Sequence, residues 1–328
     1  MIDKMARGIA KHPKTVLIVC LILLIPSIIC YLNTFVNYDI LSYLPEDLNS
    51  VQGEHILDKT FNNAASAIVV IENEDQKTAV KLKEEISEID GVSNVMWVDD
   101  IADISIPEDM LPDDLKNVFY SKDGNATLMM VQFTQGGASE STMDAIKSIR
   151  KCMNKNMFMS GVSTIMYDTK ALADAQAPLY VVIAIVLALI VLMFTLKSYV
   201  LPFVLLMALC TAVVYNMGTN IFFGQISYIT QCIAAILQLG VTMDYSVFLM
   251  DRYEEECKHN DDRTMAMASA ISSTFVSLAG SSLTTVFGFL ALCFMSFKLG
   301  LDIGLVMAKG VLLGVITVVT FLPALILL

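Results

Sequence analysis

Asp244 lies in the apolar run Gln238-Leu-Gly-Val-Thr-Met-Asp-Tyr-Ser-Val-Phe-Leu-Met250, with Gly240 four residues before it and Tyr245 directly after it. A carboxylate inside a membrane helix costs about 2.5–3.5 kcal/mol on insertion scales, so an acid in such a place marks an ion or proton pathway by default. Proton exchange is the chemistry open to it, because removal from water favours the neutral form of a carboxyl group and lets it change charge during a cycle. The plainer alternative is an acid paired only for packing. Tyr245 is the natural hydrogen-bonding companion, but adjacent helical positions diverge by about 100°, so its hydroxyl would meet Asp244 from another repeat or through water. Lys309 is the only basic residue well inside an apolar segment, and it could form a switchable pair with Asp244, pair instead with Asp302, or snorkel to the interface.

Other polar residues lean towards packing. Ser273, Ser277 and Ser281, with Gly280, Thr284 and Gly288, place small side chains at four-residue spacing, which lets helices approach closely. A proton path along the hydroxyls of Ser277, Ser281 and Thr284 is the sharper reading, and Gly240 could support either role. Gln231, Gln238, Thr242 and Tyr245 share one stripe beside the aspartate. Gly300 with Gly304, and Gly310 with Gly314, are expected close-contact pairs.

Several chemistries find no support. Aspartyl proteolysis needs two carboxylates at one site, and only Asp244 lies deep in an apolar run. A Gly-rich loop followed by Lys and Ser or Thr is missing, which argues against ATP as the energy source. His12, His55 and His259 are scattered, and the seven cysteines lack metal-ligand spacing, so neither metal nor cofactor is expected. Cys152 alone falls in the long polar block, which must therefore hold together by packing.

With 55% hydrophobic residues, 16% charged and a mean hydropathy of +0.64, the chain is an integral membrane protein. Six apolar stretches, 15–32, 178–196, 200–215, 226–250, 270–297 and 300–328, approach or exceed the length of a spanning helix, the third being marginal. The expected organisation is an N-terminus and first helix over 1–32, an outer domain over 33–177, and helices two to six over 178–328. Residues 33–177 hold 24 acids against 11 bases, so the net charge of −12 belongs to this block and argues against nucleic acid as a partner. Basic residues flank the short loops on one side: Lys4, Arg7, Lys11 and Lys14, then Lys197, then Arg252, Lys258 and Arg263. That pattern puts both termini in the cytoplasm and the acidic block outside it. The first stretch could instead be a signal peptide, but no small-x-small cleavage site follows it.

Within the block, 67–72 reads as a strand, Leu82, Ile86 and Ile89 as a helix face stopped by Gly91, and 92–98 as a second strand. The second half repeats the pattern, with a strand over 126–133, a capping box of Ser141 and Asp144, a helix face of Met143, Ile146, Ile149 and Met153, and a strand over 157–160. Two βαβ halves suggest a ferredoxin-like α+β sandwich. Between them, an acidic connector with Pro107 and Pro112 should form a loop with a short helix. From Thr164 a near-continuous helix should lead into the second span.

The segment from Gly240 to Glu255 resembles the fourth-helix signature of the MMPL transporters of the resistance-nodulation-division superfamily. Residues 37–45, 299–310 and 321–325, and the order of one helix, an outer domain and five helices, agree with it. The resemblance implies a multi-pass α-helical membrane protein of six transmembrane helices with an extracytoplasmic ferredoxin-like porter domain. It also implies a plasma-membrane secondary transporter that exports lipidic or amphiphilic molecules in exchange for protons, not an enzyme. Asp244, Tyr245 and Lys309 would form the proton relay, supported by Gly240, Ser277, Ser281 and Thr284. A lipid sensor that does not pump is the alternative on the same fold. Such transporters usually carry two copies of this unit, so a second six-helix repeat is an expected partner, in the same polypeptide or in another chain.

Overall fold

The computed structural model describes residues 2–61, 65–102 and 111–328. Two units pack separately, Tyr38–Leu172 and Met1–Asn37 with Ala173–Leu328. Pro107 lies outside the described residues.

In the smaller unit, after a helix α3 (Asn49–Phe61), strands β2 (Ser66–Glu72), β3 (Val92–Met96), β4 (Ala126–Phe133) and β5 (Met157–Ser160) form one antiparallel sheet in the order β3-β4-β2-β5. Helix α4 (Gln76–Ser87) connects β2 to β3, and α6 (Glu140–Cys152) connects β4 to β5. Period-2 burial turns Ala67, Val69 and Ile71 of β2 inward, where they share one core with Leu82 and Ile86 of α4 and Ile146 and Ile149 of α6. Both helices therefore cover the same face of the sheet. Trp97, 0% exposed, donates from Nε1 to Thr127 Oγ1 at 2.8 Å. Gly91 adopts φ +91° in the turn from α4 to β3, and a Cβ there would strike the Ser141 hydroxyl.

Two local expectations are corrected. Ser139, not Ser141, caps α6 by accepting from the Thr142 N–H at 3.2 Å, because the helix starts at Glu140 and leaves Ser141 inside its first turn. The second strand ends at Met96, because Val98–Asp100 turns into a 3₁₀ segment whose Asp100 accepts from the Trp97 N–H at 2.8 Å. The connector holds the short helix α5 (Asp113–Phe119), with Pro112 at its start.

Among the described residues, six helices are long and apolar enough to cross a membrane: α2 (Pro13–Leu32), α7 (Val162–Thr195), α8 (Leu201–Gly218, extended by 3₁₀ turns to Phe223), α9 (Tyr228–Glu256), α10 (Arg263–Ala291, likewise to Phe294) and α11 (Lys298–Ile326). The third span gains its missing length from the 3₁₀ extension. The fourth starts at Tyr228, not at residue 226, because Gln225–Ser227 forms β6, paired in parallel with β1 (Phe35–Asn37). A further helix, α1 (Ile2–Lys11), precedes the spans and buries Ala6, Ile9 and Ala10. Burial concentrates on α8, α9 and α11, while α2 and α7 turn apolar side chains outwards, as lipid-facing helices do.

Glycines set the helix spacing, as their pairing suggests. A Cβ on Gly300 or Gly304 would strike the carbonyls of Leu292 or Phe289, and one on Gly310 or Gly314 would strike Asn216 or Thr242.

Candidate functional site

Helix α9 turns Asp244 onto an open face. One and two turns away on the same side lie Leu237, Gly240 and Phe248, all exposed, and a Cβ at Gly240 would have nothing within 4 Å. Asp244 borders a groove of about 580 Å³ lined also by Val241, Tyr245, Phe248, Ser277, Leu278, Ser281 and Thr285. Asp244 itself is exposed, and among the described residues no helix covers this side of α9. Tyr245 points the other way round the helix and is buried in the main core, as the 100° step between neighbours requires, while still edging the groove.

Helix α10 supplies the opposite wall. Ser277 and Ser281 face the groove with Thr285; Thr284, one position earlier, is exposed beside it and does not line it. Hydroxyls on this helix bond back to their own turn, Thr284 to the Ser281 carbonyl at 2.7 Å and Thr285 to the same carbonyl at 3.2 Å. Gly280 and Gly288 have open space where a Cβ would sit, while Ser273 of the same stripe accepts from Arg252 Nε of α9 at 3.0 Å.

Lys309 takes neither of its expected partners. Its Nζ donates to the Asn216 carbonyl at 3.0 Å and the Asn220 Oδ1 at 2.5 Å, and lies 4.8 Å from the centre of the Phe223 ring. No carboxylate lies within ion-pair distance of it among the described residues. Asp302 instead accepts from the Ser227 N–H at 2.7 Å and the Thr230 hydroxyl at 2.6 Å, so its negative charge caps the N-terminal end of α9. Helix rotation explains both departures: Lys309 points at α8, and Asp302 is two turns nearer the start of α11.

Sequence reasoning missed the buried network around that lysine. Asn216 Nδ2 donates to Gln238 Oε1 at 2.9 Å, and Gln238 Nε2 donates to the Gly310 carbonyl at 3.0 Å. Asn216, Asn220 and Gln238 are each 0% exposed, which joins α8, α9 and α11 through polar groups in an apolar setting. The signal was present in the apolar third span, whose only amide side chains are Asn216 and Asn220. Gln231 lies apart, on the wall of a groove between α7, α8 and α9.

A family model described as the MMPL family matches residues 42–328. The chain belongs to the MMPL family. Relatives of this MMPL chain include the putative membrane protein MJ1562 of Methanocaldococcus jannaschii, 24% identical over 76% of the chain and 70% of the relative. The probable transport protein MmpL12 of Mycobacterium tuberculosis is 24% identical over 67% of the chain and 20% of the relative. The apo-petrobactin exporter of Bacillus anthracis is 25% identical over 75% of the chain and 36% of the relative. The chain thus spans well under half the length of the named transport proteins it matches. Family and relatives together support a multi-pass membrane transporter.

Proposed function

We propose that this chain is one six-helix unit of a secondary transporter driven by the proton-motive force, with Asp244 as the group that takes and releases the coupling proton. The observation that carries the reading is a membrane-helix carboxyl bordering a groove with Tyr245, Ser277 and Ser281 on a face open to a partner. A second six-helix repeat, from the same polypeptide or another, closes that groove and supplies the facing half of the relay, with Gly240 and the α10 glycines allowing close approach. Tyr245 and the α10 hydroxyls serve proton passage. Lys309 holds the neighbouring helices in register from its amide cage. Each proton moved through 100 mV releases about 2.3 kcal/mol, sufficient to bias a two-state helix arrangement.

The acidic unit is an extracytoplasmic porter domain that handles lipidic or amphiphilic cargo for export. Its βαββαβ order and the strand order β3-β4-β2-β5 favour a ferredoxin-like fold. The basic short loops favour a plasma-membrane orientation with both termini cytoplasmic. Reconstitution into proteoliposomes with a pH-sensitive dye tests the core of the proposal. Proton flux under an imposed gradient should vanish in Asp244→Asn and persist in Ser277→Ala at a reduced rate. Normal flux through the Asn variant overturns it, and lipid binding with no flux in the unmodified protein favours a sensor.

A further inference from the structure

Helix α1 carries Lys4, Arg7 and Lys11 within an arc of about 60°, all exposed, while Ala6, Ile9 and Ala10 are buried in the core shared with α10 and α11. Asp3 accepts a hydrogen bond from the Ser272 hydroxyl of α10, which fixes the helix from a second point. The chain enters the first membrane span at Pro13, two residues beyond α1, so the basic arc sits at a bilayer surface whichever side that is. None of the three bases has a carboxylate within ion-pair distance among the described residues. Beside Arg7 opens a polar cleft of about 280 Å³, lined also by Asp3, Asn260, Met265, Ala268, Ser269 and Ser272.

We propose that this cleft binds the phosphodiester headgroup of an anionic phospholipid, seated on Arg7 and flanked by Lys4 and Lys11. The guanidinium fork matches two phosphate oxygens, and the hydroxyl of Ser269 is a donor in the same cleft, whose Asn260 amide is engaged with Glu256 at 3.4 Å. Asp3 is the one carboxylate in the lining; its bond from Ser272 and the three bases on the arc leave the site net positive and select against a second negative group deep in the cleft. A general excess of basic residues near a span orients a helix without holding any lipid. Here the bases stand on a docked helix, next to a preformed cleft, and the apolar tails of the lipid would run alongside the span that starts at Pro13.

Native mass spectrometry of the detergent-purified chain, titrated with dioleoylphosphatidylglycerol or dioleoylphosphatidylcholine, tests the site. The glycerol lipid should bind more tightly than the choline lipid. Each basic residue at a membrane surface contributes about fivefold in affinity, so Arg7→Gln should weaken the preferred lipid about fivefold and the Lys4→Gln, Arg7→Gln, Lys11→Gln triple variant on the order of a hundredfold. Lys258→Gln, an exposed base off this helix, should change nothing, and Arg7→Lys should retain part of the effect. Equal retention of both lipids, an unaffected triple variant, or an equal loss with Lys258→Gln overturns the proposal. Competition by soluble glycerol phosphate at matched concentration overturns it too, since the site would then recognise free phosphate.

Discussion

Replacing Gln238 by Leu keeps the side-chain volume close to native and removes two hydrogen bonds from the membrane unit, the 2.9 Å bond from Asn216 and the 3.0 Å bond to the Gly310 carbonyl. The Asn216 amide then has no partner for its Nδ2, and its Oδ1 already has none. Leaving a buried polar group unsatisfied costs about 1–3 kcal/mol, and hydrogen bonds between membrane helices average about 0.6 kcal/mol with a maximum near 1.7, so a loss of about 1–3 kcal/mol follows. If the cost arises from the orphaned amide, replacing Asn216 by Leu as well should restore part of it. The double variant should be less destabilised than the sum of the singles by on the order of 1 kcal/mol, a coupling that separated sites do not display. Unfolding by sodium dodecyl sulfate in mixed micelles, followed by circular dichroism, measures all four corners of the cycle. Additivity of the two changes, or a Gln238→Leu variant as stable as the parent, would refute the assignment of this network as the polar tie between α8, α9 and α11.

Two further outcomes follow from the same structure. A Cβ at Gly218 would collide with the backbone of Ser27 on α2, where no side chain can yield, so Gly218→Val should lose on the order of 3 kcal/mol in the same micellar unfolding assay; Gly280→Val, facing open space, should stay within about 0.5 kcal/mol of the parent. In the smaller unit Lys83 Nζ bonds Asp99 at 2.6 Å and Asp100 at 2.7 Å. Partial burial works against both charges, but for Asp100 the Lys83 bond and the Trp97 N–H outweigh it and hold the carboxyl below its ordinary value, and for Lys83 the two aspartates outweigh it and raise the amine. A depressed carboxyl contributes stability above its unfolded value of about 4 that is lost as pH falls through the lower folded value, and a raised amine contributes below about 10.5 what is lost as pH climbs through the higher folded value. Emission from Trp97, the single tryptophan of the chain, reports unfolding of this unit, and Lys83→Met should flatten both limbs of its pH profile. An unchanged acid limb would dismiss the cluster.

Apolar runs were enough to locate the six candidate spans among the described residues, since length and hydropathy are what make a segment able to cross a bilayer. Period-2 and 3.6-residue patterning located β2, β4, β5 and the buried faces of α4 and α6 for the same reason: burial on one side is written into consecutive residues. Features that depend on what lies opposite were illegible. Lys309 could be seen to need partners, but only the crossing of α8 and α11 decides that these are Asn216 and Asn220. The exposure of Asp244 depends on which side of α9 lacks a neighbour, and the three-residue pairing of β1 with β6 is too short to leave a pattern. Helix α1 was visible only as a row of positive charges, because its apolar contribution amounts to Ala6, Ile9 and Ala10.

The notches on α11 restrict how the membrane unit can move. With its Cα atoms seated against the carbonyls of Phe289 and Leu292 on one side and against the side chains of Asn216 and Thr242 on the other, α11 cannot spin about its own axis without driving larger side chains into its neighbours. Any turn of α11 must therefore carry α8, α9 and the C-terminal end of α10 with it, and the carboxyl on α9 rides with that piece.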